Sequence, residues 1–127
     1  MGFGADMDKF KNKAINKNKA LVNYVCLNMA NQIILLTPVD TGAAKNNWQS
    51  NIGSPNRSAN NLPDKNGSGA KSQAEDKARQ AYGGIFYFVN SLPYIKKLEN
   101  GYSKQSPSGM VMVTIARFRN IFKRAIR

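Results

Sequence analysis

Apolar residues recur at helical spacing along the first third of the chain. They predict a helix from Met7 to Leu36 with one apolar face. The members of this face are Ile15, Val22, Cys26, Met29, Ile33 and Leu36. The N-terminal half of the helix is rich in lysine, although the helix dipole disfavours positive charge there. Either a function other than helix stability or fraying at the start of the helix would explain that placement.

A proline and a polar turn follow this helix. Pro38 ends the helix near Thr37, because the residue before a proline avoids the helical conformation. In the turn, Asp40 and Thr41 can accept hydrogen bonds from nearby backbone N–H groups, and Gly42 can adopt a positive φ.

Two short segments have the pattern of strands. In the first, Trp48, Ser50 and Ile52 alternate with polar residues, as in a half-buried strand. The second, Ile85–Val89, is a continuous apolar run bounded by glycines and polar residues, which predicts a central strand. Its aromatic side chains are assigned to the core rather than to a surface that stacks on nucleic-acid bases.

The segment from Gly53 to Gly84 is rich in glycine and polar residues and poor in large apolar side chains. A connection of this length is usually functional or disordered. Ser72 and Glu75 match a capping box, so a small helix is predicted from Gln73 to Ala81. The rest of the segment is predicted to be an exposed arm or a hairpin extension.

The segment Leu92–Val111 predicts a short helix, a polar turn and the start of a second helix. Ser91 is the predicted N-cap, and Pro93 suits the first helical turn because it lacks an N–H group. Gly101 is predicted to close the short helix in the left-handed conformation. The stretch from Ser106 to Ser108 would then open the next helix.

The last helix is predicted to have an apolar face and a basic side. The apolar face comprises Val111, Ile115, Phe118, Phe122 and Ile126. The basic side comprises Arg117, Lys123, Arg124 and Arg127. The order of elements predicts one α+β domain over residues 1–127: a small antiparallel sheet packed with a long N-terminal helix and an amphipathic C-terminal helix, with a long extended loop or arm at 53–84.

The charge balance adds a preference for polyanionic partners. There are 19 lysines and arginines against 7 acidic residues, which gives a net charge of +12. This excess is compatible with contact to nucleic acid or to an acidic protein. It is equally compatible with a basic surface that faces only solvent. The residues predicted to make such contacts are Lys9, Lys11, Lys13, Arg117, Lys123, Arg124 and Arg127.

Several classes of protein are not expected. No apolar run reaches the roughly 18 residues that span a bilayer. The first residues lack the charged and apolar regions of a signal peptide. Cys26 is the only cysteine, so no intrachain disulfide is expected, and synthesis in a reducing cytoplasm fits.

Candidate catalytic groups are few. The chain has no histidine, so zinc sites, His-based triads and Cys–His dyads within one chain are excluded, and neither a metal nor another cofactor is expected. Pro63-Asp64 followed by Glu75-Asp76-Lys77 matches the spacing of a PD-(D/E)xK nuclease, in which carboxylates hold a divalent cation. A glycine-rich stretch separates the two halves, so a solvated charged loop is the favoured interpretation. The chain is not expected to be an enzyme.

Two segments together resemble the tail-completion or neck proteins of tailed bacteriophages. The first is Thr37-Pro38-Val39-Asp40-Thr41-Gly42, followed by Asn46-Asn47-Trp48. The second is Asn90-Ser91-Leu92-Pro93-Tyr94, then Leu98-Glu99-Asn100-Gly101, Ser103, Gln105, Pro107 and Gly109-Met110-Val111. It resembles the family pattern N-x-LPYA-x-x-LE-x-G-x-S-x-Q-AP-x-GM-V. The chain departs from the family at Ala43 and Ala44, where relatives often have Arg and Leu, and at Ser106, where Ala is common.

This resemblance implies a structural virion protein that forms a homo-oligomeric ring at the head–tail junction. A hexamer is favoured, with a dodecamer as the alternative. The implied partners are head-closure, adaptor or portal proteins and tail-tube proteins, with viral DNA passing through the lumen without sequence-specific contacts and no membrane. The protein would be made in the host cytoplasm and reside in the neck or tail of the virion.

The family motifs also supply the residues expected to matter for assembly. They are Thr37, Pro38, Asp40, Thr41, Gly42, Trp48, Leu92, Pro93, Tyr94, Leu98, Glu99, Gly101, Pro107, Gly109 and Met110. A non-specific basic nucleic-acid-binding protein is the alternative function, with the two basic helices as its contacts.

Overall fold

A computed structural model describes residues 2–126, and its longest element is the first helix. Helix α1 spans Phe3–Leu36 and is about 50 Å long, since a helix rises 1.5 Å per residue. The predicted helix is confirmed, and it begins at Phe3 rather than at Met7. Residues 6–14 and 16–20 are all exposed, so the N-terminal half of α1 stands free of the rest of the chain. The C-terminal half buries Ala30, Ile33 and Ile34.

The end of α1 is where the proline predicts it. The helix stops at Leu36, and Thr37 leaves the helical conformation with a ψ of 125°. The Thr37 hydroxyl donates to the carbonyl oxygen of Ile33 at 2.7 Å and accepts from the indole N–H of Trp48 at 2.9 Å. Both side chains are buried, so this pair of bonds joins the end of α1 to the strand that follows.

The sheet has two antiparallel strands. A single-turn helix, α2 (Ala43–Asn46), leads into strand β1 (Trp48–Ile52), and β1 pairs with strand β2 (Phe86–Asn90). The register runs from Trp48 opposite Asn90 to Ile52 opposite Phe86. The predicted β1 is confirmed. Within residues 2–126 no third strand pairs with these two, so β2 is an edge strand and not the central strand predicted.

The segment between the strands contains the small helix that the sequence predicts from Gln73 to Ala81, with earlier bounds and more burial than an exposed arm would have. This helix, α3 (Ser68–Ala78), packs against α1 and β1. Its contact face consists of Ala70, Ala74 and Ala78, all buried. Because alanines allow close helix packing without large side chains, the apolar content of the segment understates its burial. The predicted capping box is also wrong, since Ser72 lies inside α3 and Gly67 is the N-cap.

Residues 53–67 have no regular structure and form the extended part of this segment. The loop is held by the buried side chain of Asn47, which donates to the carbonyl oxygen of Asn60 at 2.7 Å and accepts from its N–H at 2.8 Å. Asn46 donates to the carbonyl oxygen of Leu62 at 2.8 Å. These bonds lay the loop along the start of β1 instead of leaving it as a free arm.

Two helices follow β2, and both begin later than predicted. Helix α4 spans Ile95–Glu99 with Tyr94 as its N-cap, so Ser91 is not a cap and Pro93 lies in the turn before the helix. Helix α5 spans Val111–Ala125. Residues 103–109 form two successive backbone-bonded turns, which delay its start beyond the predicted Ser106 to Ser108.

The core lies where α1, α3, β1 and the start of α5 meet. Its buried members are Ile33, Ile34, Trp48, Ala70 and Met110. The α+β class is confirmed: a long N-terminal helix, a small antiparallel sheet and an amphipathic C-terminal helix. Across the described part of the chain, no helix combines the length and apolar character needed to cross a membrane.

Helix α5 does not bury the apolar face that its sequence defines. Its buried residues are Thr114 and Ile121. Four members of the predicted face, Ile115, Phe118, Phe122 and Ile126, are 40 to 55% exposed. The fold therefore leaves an apolar surface without a partner in the described chain.

Candidate functional site

The two motif segments lie side by side, joined by side-chain hydrogen bonds. The Gln105 side chain accepts from the N–H of Val39 at 2.8 Å and donates to the carbonyl oxygen of Val39 at 3.0 Å. These two bonds reproduce a pair of strand-type backbone bonds across 66 positions of sequence. The hydroxyl of Ser106 also donates to the carbonyl oxygen of Leu36. The turn after α1 and the turn after α4 therefore form one structural unit.

A groove of about 460 Å³ separates the two segments. Its lining comes from both motifs: Pro38, Val39, Asp40, Thr41, Gly42, Ala43, Ala44, Tyr94, Leu98, Tyr102, Ser103 and Gln105. Its rim carries Tyr94, which is 42% exposed, and Tyr102, which is 81% exposed. Small apolar groups beside tyrosines and hydroxyls suit an inserted peptide or side chain.

Most residues of the first motif have architectural roles. A Cβ atom on Gly42, which has a φ of +93°, would lie 2.5 Å from the backbone nitrogen of Lys65. The Thr41 hydroxyl accepts from the N–H of Ala43, the first residue of α2, at 3.2 Å. Pro38 is buried, whereas the carboxylate of Asp40 is exposed beside the groove. Asp40 therefore offers an exposed carboxylate to a partner at the groove.

The second motif builds the connection between α4 and α5. The Glu99 carboxylate accepts from the backbone N–H groups of Met110, Val111 and Met112, at 3.0, 2.8 and 2.9 Å. These are N–H groups that lack partners within the helix. Gly109, with a φ of +86°, packs directly on Glu99 and has no room for a Cβ atom.

The other residues of the second motif divide between core and surface. Leu92 and Met110 are buried, and Leu98 packs partly against the core. Pro93 and Pro107 are exposed. The predicted left-handed conformation of Gly101 is confirmed by its φ of +85°.

Some groove residues were not among the predicted assembly residues. These are Val39, Ala43, Ala44, Tyr102, Ser103 and Gln105. Ser103 and Gln105 belong to the second motif, so their membership of that motif could have marked them as assembly residues. Their proximity to Val39 depends on a long-range contact that no local pattern contains.

The predicted basic contacts lie on two separate helices. Lys9, Lys11 and Lys13 are exposed on the free half of α1. Arg117, Lys123 and Arg124 are exposed on α5. Arg127 lies outside the described residues.

The carboxylates of the nuclease-like spacing have separate structural roles. Asp64 accepts from the N–H of Gly69 at 3.0 Å and from the hydroxyl of Ser68 at 3.3 Å, so it caps the start of α3. Glu75 pairs with Arg79 at 3.0 Å on the exposed side of α3. Over residues 2–126, no three acidic or cysteine side chains come together as a metal site would require.

Asp64 is expected to give α3 a pH-dependent contribution to stability. The hydrogen bond from the N–H of Gly69, with smaller help from Ser68, holds the pKa of Asp64 below its ordinary value of 3.8. A carboxylate with a lowered folded-state pKa stabilises the fold above its unfolded-state pKa and loses that effect as the pH falls through the folded-state value.

We therefore expect Asp64→Asn to lower the free energy of unfolding at pH 7 by about 0.5 kcal/mol, a small value because solvent screens the site. The difference from wild type should disappear below the folded-state pKa in urea titrations at a series of pH values. Asp76→Asn on the same helix is the control, since Asp76 is exposed. A difference for Asp64→Asn that persists unchanged at low pH would refute the capping role.

Comparison of the chain with protein-family models, with curated proteins and with solved structures gave no match.

Proposed function

We propose that this chain is a structural protein of a tailed-bacteriophage virion, which forms a homo-oligomeric ring at the head–tail junction. One observation carries the proposal: the two segments that resemble the neck proteins fold into a single unit, joined by Gln105 and Val39 around an open groove. A shared assembly surface requires the two segments to meet, and they do so across 66 positions of sequence.

The surface of the subunit is compatible with a ring. A ring needs two different patches on each subunit, one of which binds the other on the next copy. The groove supplies a concave patch lined by both motifs. The free half of α1 supplies a projecting element, with Met7 and Phe10 50 and 70% exposed. In this arrangement the surface formed by the two motifs would bind the neighbouring subunit of the ring.

We expect the double variant Tyr94→Ser, Tyr102→Ser to prevent ring assembly without unfolding the subunit. Both side chains stand at the rim of the groove, so their loss removes contact area and little of the core. Ring assembly would be measured by image reconstruction of virions, or of the purified protein mixed with its head and tail partners. The fraction of heads that are joined to tails would be counted alongside. A hexamer would agree with the subunit number that the resemblance favours for a tail ring.

Tyr82→Ser provides the matched control. Tyr82 is 40% exposed, close to the 42% of Tyr94, and it does not line the groove. We expect this variant to assemble normally. A purified chain that stays monomeric with its partners, and virions whose rings lack it, would refute the proposed function.

Non-specific binding of nucleic acid is the second candidate, favoured by the lysines on the free half of α1. Lys9, Lys11 and Lys13 are exposed on a helix that projects beyond the body of the protein. Binding of this kind would weaken steeply with salt, because each neutralised phosphate releases counterions. Lack of binding to duplex DNA at low salt would exclude it.

A further inference from the structure

The outer surface of α5 carries a continuous apolar row, Ile115, Phe118, Phe122 and Ile126. At 100° per residue these side chains fall within an arc of about 80° on the helix surface. They are 55, 41, 40 and 55% exposed, in chain order. The rings of Phe118 and Phe122 stack on each other with centroids 6.0 Å apart. Single exposed apolar residues are ordinary, whereas a row of four over three turns marks a binding surface.

A basic row, Arg119 and Lys123, runs beside one edge of the apolar row. The same helical geometry places both residues next to Ile126 and Ile115 around the helix, and both are exposed. Helix α5 has no acidic residue of its own, and the nearby Glu99 is used by the first backbone N–H groups. In residues 2–126 the one ion pair is that of Arg79 with Glu75, so the basic row has no charge partner.

We propose that this surface of α5 binds an amphipathic helix of another protein, with an apolar seam and an acidic edge. The apolar row would pack on the seam, and the basic row would pair with the acidic edge. This arrangement is that of two helices packed side by side, in which edge charges select the partner. It needs no ring, so it stands or fails separately from the proposed function.

The placement of charge argues against the other occupants. A membrane surface favours a helix with cations on both borders of its apolar face, but the basic row borders one edge only. DNA phosphates would pair with Arg119 and Lys123 and leave the apolar row in water. In an antiparallel pair of α5 helices from two copies, like edges face each other, so the two basic rows would repel.

A pair of synthetic helices tests the proposal with the full-length protein. The acidic probe is a fluorescein-labelled helical peptide with leucines along one seam and glutamates on both edges. The basic probe has lysines in place of the glutamates. We expect the acidic probe to bind at least about tenfold more tightly than the basic probe by fluorescence anisotropy, and its affinity to fall as salt is added.

Substitutions on the two rows identify the surface. Phe118→Ser should weaken the acidic probe by about tenfold, because the aromatic contact is lost. The double variant Arg119→Glu, Lys123→Glu should exchange the preference and bind the basic probe. Leu62→Ser is the control, since Leu62 is 65% exposed and far along the chain from α5. Circular dichroism verifies that each variant folds, and the charge-reversed variant alters only exposed positions.

Several results would overturn the proposal. These are equal binding of the two probes, or a charge-reversed variant that keeps the acidic preference. Tighter α5-dependent binding to phosphatidylglycerol vesicles or to duplex DNA would assign the surface to a lipid or nucleic acid instead. Self-association in sedimentation that Phe118→Ser abolishes would assign it to a second copy of the chain.

Discussion

Valine in place of Gly101 is expected to leave the protein largely unfolded at room temperature. Gly101 has a φ of +85°, a conformation that a β-branched residue essentially never adopts. A Cβ atom there would also collide with the carbonyl oxygen of Pro107. We expect the substitution to cost more than about 4 kcal/mol, a large share of the 5–15 kcal/mol that stabilises a typical domain. Urea unfolding followed by tryptophan fluorescence would measure the loss.

A comparison of two alanine variants separates the collision from the backbone strain. Gly53 and Gly101 have the same φ of +85°, but a Cβ atom on Gly53 would meet nothing within 4 Å. Gly53→Ala should therefore cost only the left-handed strain, about 1–2 kcal/mol. Gly101→Ala should cost about 2 kcal/mol more. Equal losses for the two would mean that the contact with Pro107 is unimportant.

The same substitution bears on the proposed function. Gly101 closes α4 at the groove, and its neighbour Tyr102 stands on the rim. If the chain is a neck protein, Gly101→Val should abolish the joining of heads and tails, whereas Gly53→Ala should join them normally. Normal joining by the Gly101→Val phage would show that this turn is not needed for assembly.

Local signals predicted the parts of the fold that are determined locally. Pro38 ends α1 because its effect acts on the adjacent residue. The alternation around Ser50 predicts β1, and Gly101 predicts a left-handed residue. In each case the physical cause lies within a few positions of the residue concerned, so a single sequence contains it.

Features that depend on distant contacts were not predicted. The capping pattern predicts a small helix from Gln73 to Ala81, but the burial of α3 depends on alanines such as Ala74 that fit closely against neighbouring elements, and composition does not reveal that packing. The periodicity of α5 defines an apolar row but not whether the row faces the core. Thr114 occupies the buried side instead, where its hydroxyl donates to the carbonyl oxygen of Met110 at 2.8 Å.

The candidate site shows the same division. Its two motifs were visible in sequence, but the groove between them was not. The groove exists because Gln105 satisfies both backbone groups of Val39, and nothing near either residue specifies the other. The start of α5 is a second example, because its cap is a carboxylate eleven residues before Met110 rather than an adjacent serine.

Alanine in place of Glu99 is expected to destabilise the protein by about 3 kcal/mol. It would remove acceptors from three backbone N–H groups at the start of α5, two of them partly buried. Unpaired buried donors cost about 1–3 kcal/mol each, and the lost charge also stabilised the helix dipole. Glu99→Gln should lose about half as much stability. The amide oxygen can still accept hydrogen bonds, but the amide NH₂ group is a donor and would face the N–H of Met112.

Glu75→Ala is the matched control for this prediction. Glu75 pairs with Arg79 on the surface of α3, where both side chains are about 60% exposed, so its loss should cost less than about 0.5 kcal/mol. Chemical denaturation of the three variants at pH 7 would compare them. The Glu99 carboxylate fixes α5 to α4, so its loss should also make the apolar row of α5 less ordered. We therefore expect Glu99→Ala to bind the acidic probe more weakly than Glu75→Ala does. Equal stabilities for the two alanine variants would show that α5 begins without this cap.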